Sequence, residues 1–298
     1  MCWPMKRIAL LIPCYNEEKT IAQVLEDAKK NIPEAEVYVF DNNSTDSSAE
    51  IASSYGANVI PVKEQGKGNV VKAMFSSVKA DCYIMIDADA TYELSDAKAL
   101  VDDVLENGVD MALADRLSGD YFQKNKRPFH NFGNSLVRFL VNLLFGGKIS
   151  DAMTGFRAFS PRFASSFVPK TTGFQIETEM DIFALTNGYT ISSHKCQYKD
   201  RPEDSPSKLN TYKDGMRVLW LILSSFFLLK PFQALGLCSL PFIVLGAILG
   251  IFPFIQATNP NLYDSVNLGL GYSSLVLLIL GIILFLIGFA LRLIKGRK

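Results

Sequence analysis

An α/β domain with a mainly parallel sheet, joined to a C-terminal hairpin of two membrane-spanning helices, is the fold this sequence predicts. Three observations predict it. Strand and helix patterns alternate from residue 6 to 115, the rhythm of a sheet covered by helices on its faces. The run Cys82-Tyr83-Ile84-Met85-Ile86 is continuously apolar and ends abruptly in Asp87-Ala88-Asp89, as expected of a parallel strand buried on both faces. No charged residue occurs from Pro231 to Tyr263, nor from Ser265 to Leu291, and each window exceeds the roughly 20 apolar residues that cross a bilayer.

The elements follow in order. Strands are predicted at Arg7–Ile12, Glu36–Phe40, Asn58–Val62, Cys82–Ile86 and Asp110–Ala114. Helices fall between them at Glu17–Lys30, Asp46–Tyr55, Lys67–Val78 and Ser95–Asn107. Asn16 and Asp46 stand where helix N-caps are expected. Ligands of open α/β sheets bind just beyond the carboxyl ends of the strands, and there Asp87 and Asp89 offer two hard oxygen donors. Such donors suit Mg²⁺ or Mn²⁺ held jointly with substrate phosphates, although Asp is also common in plain turns. Gln65-Gly66-Lys67-Gly68-Asn69 opens a helix and offers backbone N–H groups to an anion, but it is neither a Walker A loop nor a dinucleotide fingerprint.

Composition narrows the class. The 298 residues carry 30 Lys and Arg against 30 Asp and Glu, a balance that speaks against a nucleic-acid partner. Five cysteines are scattered without metal or disulfide spacing, as in a reducing compartment. Lys124, Lys126 and Arg127 precede a largely apolar stretch at 129–145, which reads as a helix lying at a membrane surface. The predicted organisation is a domain over 1–211, a juxtamembrane helix at 212–231, and residues 232–298 with spans near 232–256 and 268–291. Lys230, Arg292, Lys295, Arg297 and Lys298 flank the spans while the connecting loop has no Lys or Arg. That bias puts both ends and the N-terminal domain on the cytoplasmic side of a multi-pass inner-membrane protein.

Four motifs in order, Ile12-Pro13-Cys14-Tyr15-Asn16-Glu17-Glu18, Asp41-Asn42-Asn43-Ser44-Thr45-Asp46, Gly66-Lys67-Gly68 and Asp87-Ala88-Asp89, resemble the signature of glycosyltransferase family 2. The likeness is closer to its polyprenyl-phosphate sugar transferases, which include the dolichol-phosphate mannose synthases, and spans roughly residues 6–215. Asn42 and Asn43 stand where the family's D-D-G-S-x-D has its second Asp and its Gly. The resemblance implies a GT-A fold, a nucleotide-sugar donor and a Mg²⁺ or Mn²⁺ ion on Asp89. Donor-binding positions would be Pro13, Tyr15, Asn16, Glu17, Asp41, Asn43, Gly66, Lys67, Asp87, Ala88 and Asp89, with Asp41 toward the base and Asp87 toward the ribose.

Asp151-Ala152-Met153-Thr154-Gly155-Phe156-Arg157 is similar to the family's D-x-x-T-G-[FS]-R element. Arg201-Pro202-Glu203-Asp204-Ser205-Pro206-Ser207-Lys208 is similar to its R-x-x-G-x-S-K loop, with Asp204 in place of Gly. The resemblance implies catalytic roles for Asp89, Asp151 and Arg157, and contacts to sugar or acceptor phosphate from Thr154, Gly155, Arg157, Glu177, Arg201, Ser207 and Lys208. Arg157 suits a bidentate phosphate clamp; a structural ion pair between Asp151 and Arg157 is the plainer alternative. The implied reaction is inverting transfer from a UDP-sugar, with N-acetylglucosamine or glucose favoured, to undecaprenyl phosphate at the cytoplasmic membrane face. Its product, a β-linked lipid-phosphate sugar, would serve cell-envelope glycans. A GDP-mannose enzyme of the dolichol-phosphate type, a processive polysaccharide synthase and a non-catalytic membrane adaptor are the rival readings. A homo-oligomer or a small membrane partner is left open.

Overall fold

In the computed structural model, residues 6–118, 128–199, 201, 208, 210–259 and 266–295 are described, with the side chains of 128–131, 211 and 295 excepted. Seven strands build one sheet: β1 (Ile8–Cys14), β2 (Glu36–Asp41), β3 (Asn58–Pro61), β4 (Cys82–Met85), β5 (Met111–Asp115), β6 (Arg157–Phe159) and β7 (Ile191–Lys195). Their order is β3-β2-β1-β4-β6-β5-β7. All pairings are parallel except those of β6, which runs antiparallel to both β4 and β5. The five predicted strands are present with their ends shifted by a residue or two. What the sequence pattern did not show are β6, three residues that separate β4 from β5, and β7 at the edge of the sheet.

Between the strands run α1 (Ile21–Asn31), α2 (Ser48–Ser54), α3 (Lys67–Ser77) and α4 (Ala97–Leu105), followed by α5 (Pro128–Phe145), α6 (Pro161–Ser166) and α7 (Ile176–Thr186). One sheet face buries Leu10, Ile12, Ile84, Ile86, Ala112 and Ala158 with Ile21, Leu25, Leu100 and Val104 of α1 and α4. Alternate residues supply the other face, where Phe75, Tyr83, Phe159, Phe163, Phe167 and Phe183 meet ring to ring at 5.0–6.4 Å. Each buried aliphatic or aromatic side chain contributes about 1.5–3 kcal/mol, so β4, buried at all four positions, is firmly placed. Its carboxyl end, and with it Asp87 and Asp89, is fixed by that burial.

Neither expected N-cap holds as written. Asn16 Oδ1 accepts the Thr45 N–H at 2.7 Å, tying the β1 loop to the β2 loop. Asp46 lies two residues before Ser48, where α2 starts, and its Oδ1 accepts the Ser48 N–H at 3.0 Å.

The chain divides into two compact units, Met1–Ile222 and Leu223–Lys298. In the first unit, α5 buries Asn134, Val137, Val141 and Phe145 and leaves Phe132, Phe139 and Leu143 exposed. The boundary falls within α8 (Thr211–Leu229). The second unit contains α9 (Pro231–Thr258) and α10 (Leu268–Lys295), both long and apolar enough to cross a membrane and mostly unburied within the chain. They pack closely because small residues meet. A Cβ on Gly281 would lie 3.2 Å from Ser239 O, and Ser274 Oγ donates to Gly246 O at 2.7 Å. Pro241 and Pro253 sit inside α9, as membrane helices tolerate.

Candidate active site

Because β1, β2, β4 and β5 are parallel, their carboxyl ends share one edge of the sheet, and β6 enters from that edge. The loops there hold the predicted residues. Pro13 lies past the last β1–β4 pair, Leu11 with Met85, so its missing N–H leaves the ladder between those strands intact. Asn16, Asn43 and Ala90 adopt left-handed backbone, with φ of 51°, 63° and 57°. Asn tolerates this conformation, and Gly is usual at the Asn43 position of the family signature. Ala90 does not tolerate it cheaply, and its strain of about 1–2 kcal/mol sits directly after Asp89.

Two chains of ion pairs lie at this edge. In the first, Lys67 Nζ bridges Asp87 Oδ1 at 2.6 Å and Glu177 Oε1 at 2.5 Å. Burial would lower the lysine pKa, but the two carboxylates outweigh it and hold it above the ordinary range. In the second, Arg201 donates through Nη2 (2.7 Å) and Nε (3.0 Å) to Asp89 Oδ2 and reaches Glu17 Oε1 at 3.3 Å, where Lys208 also binds at 2.6 Å. Lys208 further donates to Asn16 O at 2.6 Å. Burial, then the neighbouring Asp87, push the Asp89 carboxyl up, with Arg201 opposing both. Together four carboxylates face three cations.

Glycine permits the close approaches. A Cβ on Gly155 would overlap Asp87 Oδ2 and stand 2.6 Å from its Cγ. The Gly155 N–H donates to Tyr92 Oη at 3.0 Å, and Tyr92 Oη lies 3.2 Å from Thr154 Oγ1. Gly66 and Gly68 serve packing instead of an anion. Cβ atoms there would collide with the Thr172 and Thr171 carbonyls, and the Gly68 N–H donates to Thr172 O at 3.0 Å. The Gly66 N–H goes to Asn42 Oδ1 at 2.7 Å and the Asn69 N–H to Gly66 O at 3.0 Å. The amides of Gly66, Gly68 and Asn69 are thus spent inside the protein. Glu179 accepts the Lys170 and Thr171 N–H groups at 2.8 and 2.9 Å, fixing the segment that the glycines receive.

Asp151 and Arg157 are placed beneath the site. Asp151 is fully buried, and Arg116 grips both its oxygens at 2.7 and 3.0 Å. Arg157 is fully buried as well, paired with Asp181 at 2.6 Å and donating to Thr154 O at 2.9 Å and Ala152 O at 3.3 Å. Neither a base nor a phosphate clamp is presented by these groups, nor do they pair with each other. Instead they hold the 151–157 loop from beneath and so seat Thr154 and Gly155.

The other described residues of the prediction lie in the loops at the strand ends. Tyr15 is exposed beside Lys208, with the ammonium 5.8 Å from the ring centre. Asp41 ends β2 and accepts the Ser44 N–H at 3.3 Å. Ala88 O accepts Thr20 Oγ1 at 2.8 Å, and Asn43 donates to Lys63 O at 2.8 Å. Ser207 lies outside the described residues. Sequence reasoning missed Thr20, Thr91, Tyr92, Arg116 and Asp181. Of these, only Thr91 and Tyr92 carried a signal, by directly following the D-A-D-A turn.

A divalent ion fits this donor set in one respect. Among the described residues, no three His, Cys, Asp or Glu side chains form a metal cage, so the protein alone does not enclose an ion. Asp87 and Asp89 supply the one or two carboxylates by which Mg²⁺ is usually held alongside phosphates, and Asp89 already faces a positive charge in Arg201.

The seven-stranded sheet with helices on its faces is a GT-A-like fold. Residues 9–166 match glycosyl transferase family 2, and the chain belongs to that family. Glycosyltransferase AglJ of Haloferax volcanii is 32% identical over 209 residues, covering 70% of this chain and 68% of its own. A dolichyl-phosphate hexose transferase of the same organism is 26% identical over 211 residues, covering 71% and 90%. Glucosyl-3-phosphoglycerate synthase of Mycobacterium tuberculosis, solved with Mn²⁺, UDP-glucose and phosphoglyceric acid, shares the fold. Its TM-score is 0.58 at 20% identity, with 74% of this chain and 80% of that one covered.

Proposed function

We propose that the chain is a metal-dependent polyprenyl-phosphate β-glycosyltransferase that moves a sugar from a UDP-sugar, N-acetylglucosamine or glucose, to undecaprenyl phosphate. The observation that carries this reading is the joint presence, in one chain, of the strand-end carboxylate and cation cluster and two helices long and apolar enough to cross a membrane. The dolichyl-phosphate hexose transferase relative supports a lipid-phosphate acceptor.

In this reading an acceptor phosphate oxygen attacks the anomeric carbon as the bond to the diphosphate breaks, giving inversion and releasing UDP. The attacking oxygen is already anionic, so the burial of Asp151 removes nothing the step requires. A bound Mg²⁺ or Mn²⁺ would neutralise charge on the departing diphosphate. Asp89, with Asp87 beside it, would hold that ion, while Arg201 and Lys208 are cations pre-placed for phosphate oxygens. Lys67 and Gly155 fix Asp87 for the ribose. The exposed Phe132, Phe139 and Leu143 of α5 would rest in the lipid headgroup region, with α9 and α10 spanning an inner membrane and the N-terminal unit in the cytoplasm.

The test is the purified full chain in detergent with undecaprenyl phosphate, each labelled UDP-sugar and Mn²⁺, with mass spectrometry of the extracted lipid. Expected is one lipid-phosphate sugar, abolished by EDTA and by Asp89→Asn. Transfer only to water-soluble acceptors, or lipid transfer unaffected by Asp89→Asn, would refute it.

A further inference from the structure

Both oxygens of Asp89 are engaged. Oδ1 accepts the Thr91 N–H at 3.2 Å and Thr91 Oγ1 at 2.6 Å, a local turn within two residues of the chain. Oδ2 accepts Nη2 and Nε of Arg201 at 2.7 and 3.0 Å, and this partner arrives from 112 residues away. The carboxyl is nearly buried, at 7% exposure. A cation that takes Asp89 as a ligand therefore has to displace one of these donors, and the Thr91 bonds are built into the turn. Arg201 is the partner that can leave. Its side chain keeps 23% exposure and has a second anchor in Glu17 Oε1 at 3.3 Å, so the guanidinium need not become an unpaired charge.

We propose that Arg201 and the divalent cation compete for Asp89 Oδ2, the guanidinium guarding this carboxylate until the ion displaces it. The inference rests on the reading of Asp89 as the metal ligand and deepens it. It has a direct consequence for binding order. Metal alone must break a charge-assisted pair and gains little, whereas metal arriving with a nucleoside diphosphate brings anionic oxygens that can accept the released guanidinium. Metal and nucleotide then bind synergistically, each weakly without the other.

The test is Mn²⁺ binding to the full chain in detergent without nucleotide, read from the electron paramagnetic resonance of free Mn²⁺. Arg201→Gln is expected to bind Mn²⁺ on the order of tenfold more tightly than the unaltered chain, the worth of one charge-assisted bond at a part-buried site. Asp89→Asn is expected to lose the site. If Arg201→Gln binds no more tightly while Asp89→Asn loses the ion, the competition is wrong and the ligand assignment stands. If Asp89→Asn binds normally, both fall. A second measurement needs no variant: phenylglyoxal labelling of Arg201, followed by peptide mass spectrometry, should rise severalfold at a Mn²⁺ concentration that the binding measurement shows to saturate the site. Unchanged or reduced labelling overturns the proposal.

Discussion

Gly155→Ala is the sharpest probe of how Asp87 is held. The added methyl would stand 2.6 Å from Asp87 Cγ and 2.9 Å from Oδ1, where ordinary contact begins at 3.4 Å, and it would overlap Oδ2. The loop has little freedom to retreat. Gly155 N–H is bonded to the buried Tyr92 Oη, and Arg157, two residues on, is locked to Asp181. The carboxyl group must move instead, and that motion breaks its 2.6 Å bond to Lys67. Loss of a charge-assisted bond in this part-buried place costs about 1.5–3 kcal/mol, and a misplacement of about 1 Å near reacting groups can cost roughly 10²-fold in rate. Calorimetry with UDP-sugar and the lipid-transfer assay would read binding and turnover separately, with circular dichroism as a check on folding. Gly133→Ala is the control, because a Cβ there meets nothing within 4 Å. If Gly155→Ala binds and turns over within about twofold of the unaltered chain, worth only about 0.4 kcal/mol, then Gly155 does not set the position of Asp87.

Three further outcomes follow from the same geometry. Ala90→Gly, which relieves a φ of 57°, should raise stability by a net of about 0.5–1 kcal/mol in thermal unfolding; a loss would show the strain is not there. Asp181→Asn should cost about 3–5 kcal/mol, because it strands the fully buried Arg157, while Arg157→Met with Asp181→Leu should recover most of the loss. A single-variant cost below about 1 kcal/mol would deny the pair its place beneath the loop. Burial pushes the Cys14, Cys82 and Cys196 thiols up to about 12, so iodoacetamide at pH 8 should spare all three until the protein is unfolded; prompt native labelling of any of them would contradict that.

The parallel half of the sheet was legible because its strands are apolar runs ended by Asp and Asn, and two uncharged windows announced α9 and α10. β6 was not, since three residues beginning with a charged side chain carry no periodicity. Arg157 shows the deeper difficulty. A guanidinium beside Thr-Gly reads as a phosphate ligand, and only tertiary structure reveals Asp181, 24 residues later, as its partner. The same holds for Asp151, whose partner Arg116 precedes it by 35 residues. Gly66 and Gly68 likewise suggested phosphate, but their smallness answers to the backbone of Thr171 and Thr172, a contact that no local pattern encodes.

That last contact closes a ring. Lys67 stands between two glycines that seat Thr171 and Thr172; Glu179 secures that segment; and Glu177, two residues earlier on the same helix, returns to Lys67. A ring of this kind has an evolutionary cost. No single exchange at Gly66, Lys67, Gly68, Glu177 or Glu179 leaves the other links undisturbed, so drift at these positions requires paired changes. Diversification toward other sugars is then channelled to side chains outside the ring, such as the exposed Tyr15, where one substitution can be tried without dismantling the rest.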